Sequence, residues 1–203
     1  MPNQLTHLVR KAILRFSIYN RRRKGEQVIA WMRTRRCRTV LLVGTMGDEF
    51  ANDANMSNAG IVEKMIAAEF DIKMGMNIEE AVTPYPFIIA DARALPFENN
   101  YCDFALANAI IEHVGDRRDQ LMMVSEMTRV ARCWVITTPN RWFPIESHTS
   151  AILRHWSARW RHRHGEFTRL LSLREFEDLL PAGAVVAGRP WSPTFTAYFE
   201  RTL

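Results

Sequence analysis

Residues 87–114 read FIIADARALPFENNYCDFALANAIIEHV, and this stretch decides the fold. It contains two short apolar runs, Phe87–Ala90 and Phe104–Ala107, which are followed directly by Asp91 and Asn108. Short apolar runs that end at a polar residue are typical of strands buried on both faces of a sheet. The stretch therefore predicts two buried strands, each with a polar side chain just beyond its carboxyl end.

The same pattern recurs on both sides of this stretch. Further strands are predicted over residues 39–43, 72–78, 133–138, 184–187 and 196–200, and helices around residues 61–70, 116–130 and 172–180. Asp116 is the predicted N-cap of one helix, and Ser172-Leu-Arg-Glu175 has the spacing of a capping box. Strands that alternate with helices predict a mostly parallel sheet covered by helices on both faces.

Length and composition limit the class of protein. The chain has 203 residues, 47% hydrophobic and 24% charged, which is typical of one globular domain. No apolar run is long enough to span a bilayer, and Arg10, Lys11 and Arg15 interrupt the stretch that a signal peptide would need. The cysteines are far apart and lack CxxC spacing, so we expect no disulfide framework, no metal site and a cytoplasmic location.

The positive charge is concentrated at the N-terminus. Residues 1–38 contain eleven Lys and Arg and one acid, an excess of +10. Residues 39–203 contain sixteen basic and twenty-one acidic residues, a balance of −5. We therefore divide the chain into a basic, amphipathic helical arm, residues 1–38, and an α/β domain, residues 39–203.

Within the arm, apolar residues recur at the spacing of one helix face: Leu5, Leu8, Val9, Ala12, Ile13 and Phe16. Arg21–Gly25 is predicted to interrupt this helix before a second short one that carries Val28 and Met32. We expect the apolar stripe to dock on the domain and leave the arginines in water. Contact with a membrane surface or with nucleic acid is the alternative.

Three motifs carry a resemblance to a known family. Residues 91–97 have the form D-x-x-x-LPF, residues 108–114 read NAIIEHV, and residues 137–140 read TTPN. In this order they resemble the class I S-adenosylmethionine-dependent methyltransferases, specifically the type-11 methyltransferase family. The resemblance implies a Rossmann-like, seven-stranded, mostly parallel sheet with helices on both faces and an antiparallel last strand.

The resemblance also implies roles for the strand-end residues. Asp91 and Ala92 would read the adenine ring, because a carboxylate accepts from an exocyclic amino group. Asn108 and Ala109 would line the methionine portion, with Ile110 as a further candidate.

The first two strands depart from the family's pattern. The first strand ends in Val43-Gly-Thr-Met-Gly-Asp48, which keeps Gly44 and Thr45 for cofactor binding but places Met46 and Asp48 at positions where the family has glycine. Asn77 stands where the family has an acid that binds both ribose hydroxyls, with Glu79 or Glu80 as the alternative if the register is shifted. From the sequence, Asn77→Asp is expected to restore that acid and tighten cofactor binding.

The implied activity is methyl transfer from S-adenosylmethionine to a small-molecule acceptor, with S-adenosylhomocysteine as product and no metal. Methyl transfer requires mainly alignment of the acceptor with the methyl carbon. His113 is the candidate general base, and orienting its loop is the alternative role. Aromatic residues between the fifth strand and the last helix would form an acceptor lid or pack in the core: Trp142, Phe143, Trp156 and Trp160.

Two other functions stay open at this point. The altered first strands suggest a non-catalytic binding protein with the methyltransferase fold, and the basic arm suggests an RNA methyltransferase. Nucleic acid is not the expected partner, and no oligomeric state is predicted. Among the arginines of residues 154–163, His155, His162 and His164 are predicted to lie in a solvated basic loop.

Overall fold

The computed structural model describes residues 4–46, 60–145, 153–157, 159–160, 163 and 168–202, and within the first helix it describes side chains from Leu14 onwards. The helices are α1 (Gln4–Thr34), α2 (Ile61–Ala67), α3 (Arg117–Val130) and α4 (Leu173–Glu177). The strands are β1 (Thr39–Val43), β2 (Asp71–Asn77), β3 (Phe87–Ile89), β4 (Cys102–Asn108), β5 (Ala131–Pro139), β6 (Val185–Ala187) and β7 (Thr194–Glu200).

The strands form one seven-stranded sheet in the order β3-β2-β1-β4-β5-β7-β6. Strands β1 to β5 pair in parallel, whereas β7 is antiparallel to both β5 and β6. The predicted fold is thereby confirmed. Because the chain runs outward from β1 to β3 and then returns to β4, the strand order switches between β1 and β4.

The two predicted helix caps are confirmed. Asp116 accepts from the backbone N–H groups of Arg118 and Asp119, and Ser172 accepts from the N–H of Glu175. Both sites are reciprocal capping boxes, which satisfy backbone donors that the first helical turn leaves unpaired. Helix α4 ends at Glu177 and is shorter than its sequence pattern predicts.

Each face of the sheet carries its own hydrophobic core. On one face, Trp134, Met123 and Phe176 pack together beneath α3 and α4. On the other face, Phe104 and Ile66 pack with residues of α1 and α2. The side chains of β1 alternate between the two cores, which is why its apolar run is continuous.

Helix α1 is continuous through Arg21–Gly25, so the predicted interruption is wrong. Arginine and lysine are good helix formers, and Gly25 has a packing role. A Cβ at Gly25 would lie 2.6 Å from Sδ of Met65 in α2, so the glycine allows the two helices to approach closely.

The part of α1 that docks on the domain differs from the prediction. Val28, Ile29 and Met32 are buried, whereas Phe16 is half exposed. The expected docking is therefore wrong for Phe16, and the side chains of residues 5–13 lie outside the described ones. None of the helices in the described ranges combines the length and the hydropathy needed to cross a bilayer.

Candidate active site at the carboxyl edge of the sheet

Four sequence-predicted residues lie along one edge of the sheet. Asn77 and Asn108 are the last residues of β2 and β4, Gly44 directly follows β1, and Asp91 follows β3 by two residues. These four strands are neighbours in the order β3-β2-β1-β4. The edge is therefore where the fold brings the predicted cofactor-binding residues together.

Gly44 begins the loop after β1 in a left-handed conformation, with φ +79°. Its N–H donates to the carbonyl oxygen of Met76 over 2.7 Å, which ties the loop to β2. A Cβ at Gly44 would lie 2.3 Å from Cδ1 of Ile110, so the side chain of Ile110 occupies the space that this glycine leaves. Here the glycine serves a contact with the loop after β4.

Thr45 is buried and joins two further segments. Its Oγ1 is 2.8 Å from Oη of Tyr85, and its carbonyl oxygen accepts from Nδ2 of Asn77 over 3.1 Å. Tyr85 also packs against Gly75, where a Cβ would lie 2.4 Å from the ring. Tyr85 was not predicted, because its site lies in a loop without strand or helix periodicity.

Asn77 uses both ends of its amide. Nδ2 donates to Thr45, and Oδ1 accepts from the N–H of Ile78 over 2.7 Å. An amide has two N–H groups and two lone pairs, so these bonds leave one of each. Glu79 and Glu80 are exposed beyond the end of β2, and the strand register places Asn77 at the edge.

Asp91 forms an ion pair with Arg93, whose Nη2 is 2.6 Å from Oδ2. The backbone N–H of Arg93 also donates to Asp91, and its guanidinium reaches Asp119 of α3 over 3.1 Å. The hydrogen-bonded Arg93 side chain holds the pKa of Asp91 below its usual range. Asp91 is therefore an ionised carboxylate whose side chain is still 40% exposed, beside the buried Ala92.

The LPF segment after Asp91 is held by an ion pair on α3. Arg129 donates to the carbonyl oxygens of Leu95 and Phe97 over 2.9 and 2.7 Å. Glu126 binds Arg129 and also accepts from the N–H of Leu95 over 2.7 Å. The Glu126–Arg129 ion pair thus satisfies one backbone donor and two backbone acceptors of the LPF segment. It thereby holds in place the chain that follows Asp91.

Asn108 is the centre of a chain of hydrogen bonds. Its Nδ2 donates to Oε1 of Glu63 over 2.7 Å, and its Oδ1 accepts from Oγ1 of Thr137 over 2.7 Å. The N–H of Ala109 donates to the same threonine oxygen over 3.1 Å, and Ala109 has a φ of +59°. A non-glycine residue rarely adopts this conformation, so the bonds to β5 hold the loop in an unfavourable backbone shape.

Glu63 of α2 is a site residue that the sequence did not reveal. It is 6% exposed, its Oε2 has no hydrogen-bond partner among the described residues, and burial raises its pKa. Its position between the apolar residues Val62 and Ile66 could have indicated burial, because these residues belong to the face of the helix that packs on the sheet.

Lys24 brings α1 to the same edge. Burial, reinforced by the nearby Arg21, lowers the pKa of Lys24 to about 8, and the carboxylates of Glu63 and Glu112 oppose this shift. Glu112 is buried and accepts from Oγ1 of Thr138 over 3.2 Å. An amine and two carboxylates from three separate segments thus share the region beyond β1 and β4.

Glu112 and His113, the EH of the NAIIEHV motif, both lie in the short helical turn Ile111–His113, but their side chains point in different directions. Glu112 is directed inward, whereas His113 is exposed, with its Nδ1 3.5 Å from Oγ1 of Thr168. The role of His113 as a general base stays a prediction.

His155 is not solvated, contrary to its prediction. Its side chain is fully buried, and its Nε2 is 2.9 Å from the carbonyl oxygen of Phe143. Trp156 and Trp160 pack edge-on against its ring, with centroids 6.0 Å away in both cases. Two aromatic residues of the expected lid therefore pack against a buried histidine, while Trp142 is 51% exposed.

Two predicted histidines and the end of the first loop fall beyond the described part of the chain. His162 and His164 lie outside the described residues, as do Gly47 and Asp48 of the first loop. In the part of the chain that the structure describes, no group of three or more His, Cys, Asp or Glu side chains is arranged to hold a metal ion.

Comparisons with known proteins agree with this fold. A family model described as a methyltransferase domain matches residues 43–133. No curated protein matches the sequence.

Solved structures with little sequence identity share the fold. An S-adenosylmethionine-dependent methyltransferase from Clostridium acetobutylicum has a TM-score of 0.61 at 9% identity, over 98% of both chains. A protein from Pyrococcus horikoshii has a TM-score of 0.56 at 13% identity, over 91% of both chains. The resemblance to the class I, type-11 methyltransferases is thereby confirmed: residues 43–133 match the model of a methyltransferase domain, and the chain shares its fold with a solved methyltransferase structure.

Proposed function

We propose that this protein binds S-adenosylmethionine at the carboxyl edge of its sheet and transfers the methyl group to a small-molecule acceptor. The observation that carries the proposal is the line of Gly44, Asn77, Asp91 and Asn108 at the ends of four adjacent strands. In sheets of this kind, ligands bind beyond the carboxyl ends of the strands, next to the switch in strand order.

The polar groups at this edge fit the cofactor. Asp91 is an ionised acceptor suited to the adenine amino group. Asn77 keeps one N–H and one lone pair, which can serve two neighbouring ribose hydroxyls without a charge. Glu63 places a buried oxygen, Oε2, beside Asn108 with no partner among the described residues, and this oxygen can accept from the amino group of the methionine portion.

The cofactor would supply a methyl group already activated by its sulfonium, so the chain's own residues have to bind, orient and exclude water. The bonds among Glu63, Asn108 and Thr137 fix the loop after β4. Lys24 can hold or release a proton at Nζ near neutral pH, because its pKa is about 8. These roles require no metal ligand from the described residues.

A calorimetric titration with S-adenosylhomocysteine tests the proposal. Asp91→Ala should weaken binding by about 1–3 kcal/mol, because a charged acceptor is lost. The matched control is Asp71→Ala, which removes an exposed carboxylate from the opposite end of β2 and should leave affinity unchanged. Equal affinities for wild type and Asp91→Ala, with the fold intact, would contradict the assignment of Asp91.

A non-catalytic binding protein is the second candidate. The observation that favours it is that Ile110 fills the space beside Gly44, while Asn77 and Asp91 already have partners within the chain. In that case the titration would show no heat of binding to wild type. Measurable binding of S-adenosylhomocysteine with the predicted loss in Asp91→Ala favours the methyltransferase.

A further inference from the structure

The N-terminal half of α1 exposes large apolar side chains to solvent. Leu14, Phe16 and Tyr19 are 44%, 53% and 62% exposed. Leu14 lies eleven residues before Gly25, about three turns, and therefore on the face that packs on α2. Since Leu14 is nevertheless exposed, the domain covers the helix less at this level than at the level of Val28 and Met32.

Helix geometry directs Phe16 and Tyr19 away from the domain. Tyr19 and Val28 are nine residues apart, and Phe16 and Met32 are sixteen residues apart. At about 3.6 residues per turn, these separations are roughly two and a half and four and a half turns, which place each pair on opposite faces. Because α1 is continuous and Val28 and Met32 are buried, Phe16 and Tyr19 face outward.

The sequence continues this outward face toward the N-terminus. The positions of Leu5, Leu8 and Ala12 are separated from Phe16 or Tyr19 by whole numbers of turns, to within a third of a turn. The outward stripe, Leu5 to Tyr19, and the docked stripe, Gly25 to Met32, are thus two apolar faces on opposite sides of one helix. Among the described side chains, the domain covers Val28, Ile29 and Met32 of the docked stripe and leaves Phe16 and Tyr19 of the outward stripe for another surface.

Positive charge surrounds the outward stripe. Arg15, Arg22 and Arg23 are exposed and lie within four residues of Phe16 or Tyr19 along the helix. Glu26 is the one acid among residues 1–38, against eleven basic residues. An apolar stripe flanked by arginines is complementary to a surface that is apolar beneath and anionic on top.

We propose that the outward stripe of α1 binds the surface of an anionic lipid bilayer, with the helix lying in the headgroup region. RNA would pair with the arginines and leave Phe16 and Tyr19 in water. A second copy of the chain would bring two strongly positive helices together, which electrostatic repulsion disfavours. The bilayer satisfies both the apolar side chains and the charge, whatever reaction the domain performs.

Flotation of the full chain with lipid vesicles tests this. The probes are vesicles of phosphatidylcholine mixed with phosphatidylglycerol, and vesicles of phosphatidylcholine alone. Wild type should float with the mixed vesicles and more weakly with the neutral ones, and added salt should reduce binding. The double variant Phe16→Ser/Tyr19→Ser should bind the mixed vesicles roughly tenfold more weakly, because burial of two aromatic rings is lost.

The matched control is Trp191→Ser, which removes a 69% exposed aromatic side chain far along the chain and should bind as wild type does. Circular dichroism of each variant checks that α1 is retained. Failure of wild type to float, or equal flotation of wild type and the double variant, would overturn the proposal. If wild type instead forms a salt-sensitive complex with RNA that the double variant retains, the partner is RNA. If wild type dimerises and the double variant does not, the partner is a second copy of the chain.

Discussion

The side-chain amide of Asn77 donates to the carbonyl oxygen of Thr45 over 3.1 Å, which joins the end of β2 to the loop after β1. A carboxylate at position 77 would place an acceptor against that carbonyl and lose the bond. We therefore expect Asn77→Asp to weaken binding of S-adenosylhomocysteine and to lower the free energy of unfolding, each by about 1–3 kcal/mol. The loss of stability would appear as a lower melting temperature. The sequence alone led to the opposite expectation, since it revealed only the missing acid.

Calorimetry and thermal unfolding decide between the two expectations for Asn77→Asp. Gln27→Glu provides the control for an added charge, because Gln27 is exposed on α1. Tighter binding by Asn77→Asp, at an unchanged melting temperature, would show that the bond to Thr45 is dispensable and that the ribose prefers the acid.

Gly44→Ala should destabilise the fold through its contact with Ile110. The new Cβ would lie 2.3 Å from Ile110 Cδ1, and overpacking of this kind costs about 1–3 kcal/mol. The double variant Gly44→Ala/Ile110→Ala should recover part of that loss, while the cost of a non-glycine residue at φ +79° remains. A urea-unfolding cycle of the two single variants and the double variant measures the coupling. Additive effects in this cycle would mean that Ile110 does not limit the side chain at position 44.

The pH dependence of stability should report on Lys24. Its pKa in the folded chain, about 8, is below its ordinary value of 10.5, so between these values the folded state binds fewer protons than the unfolded state. Stability should therefore rise as the pH increases through this window. Lys24→Met, which removes the buried charge, should lose this rise and be relatively more stable at neutral pH.

Melting temperatures of wild type and Lys24→Met from neutral pH to about pH 10 provide the comparison. Lys73→Met, which removes an exposed lysine on β2, is the control for loss of a lysine elsewhere. If the difference in melting temperature between wild type and Lys24→Met stayed constant across this pH range, the buried position of the amine would be contradicted.

Arg129→Met should lower both stability and cofactor affinity. The variant keeps the side-chain length but leaves the carbonyl oxygens of Leu95 and Phe97 without their donor, at a cost of about 1–3 kcal/mol. Because these residues follow Asp91 and Ala92, a displaced backbone should also weaken binding of S-adenosylhomocysteine. Arg118→Met, at an exposed position of the same helix, should change neither quantity. If Arg129→Met bound S-adenosylhomocysteine as tightly as wild type, the Glu126–Arg129 ion pair would contribute to folding alone.

The strands, the caps of α3 and α4 and the polar strand ends could be predicted because local sequence determines them. Buried strands need continuous apolar runs, and Asp116 and Ser172 cap helices through residues only three positions away. The partners of these strand ends could not be predicted in the same way. Glu63 meets Asn108 across 45 residues of sequence, and no local pattern encodes that contact.

The course of α1 shows where local patterns mislead. A run of arginines and a glycine suggested an interruption, but arginine favours a helix and Gly25 is matched to Met65. The outward stripe points away from the domain because α1 is continuous. A break at Arg21–Gly25 would have left the orientation of the stripe independent of the docked residues.

The most direct test of the central claim is an NMR titration of ¹⁵N-labelled protein with S-adenosylhomocysteine. The account predicts that the amide signals of Thr45, Ile78, Ala92 and Ala109 shift together, since they adjoin the four strand-end residues. Signals from the groove lined by Leu121, Thr128 and Leu180, near the outer face of α3, should stay unchanged. Shifts confined to that groove, or no shifts at saturating ligand, would contradict a cofactor site at the carboxyl edge of the sheet.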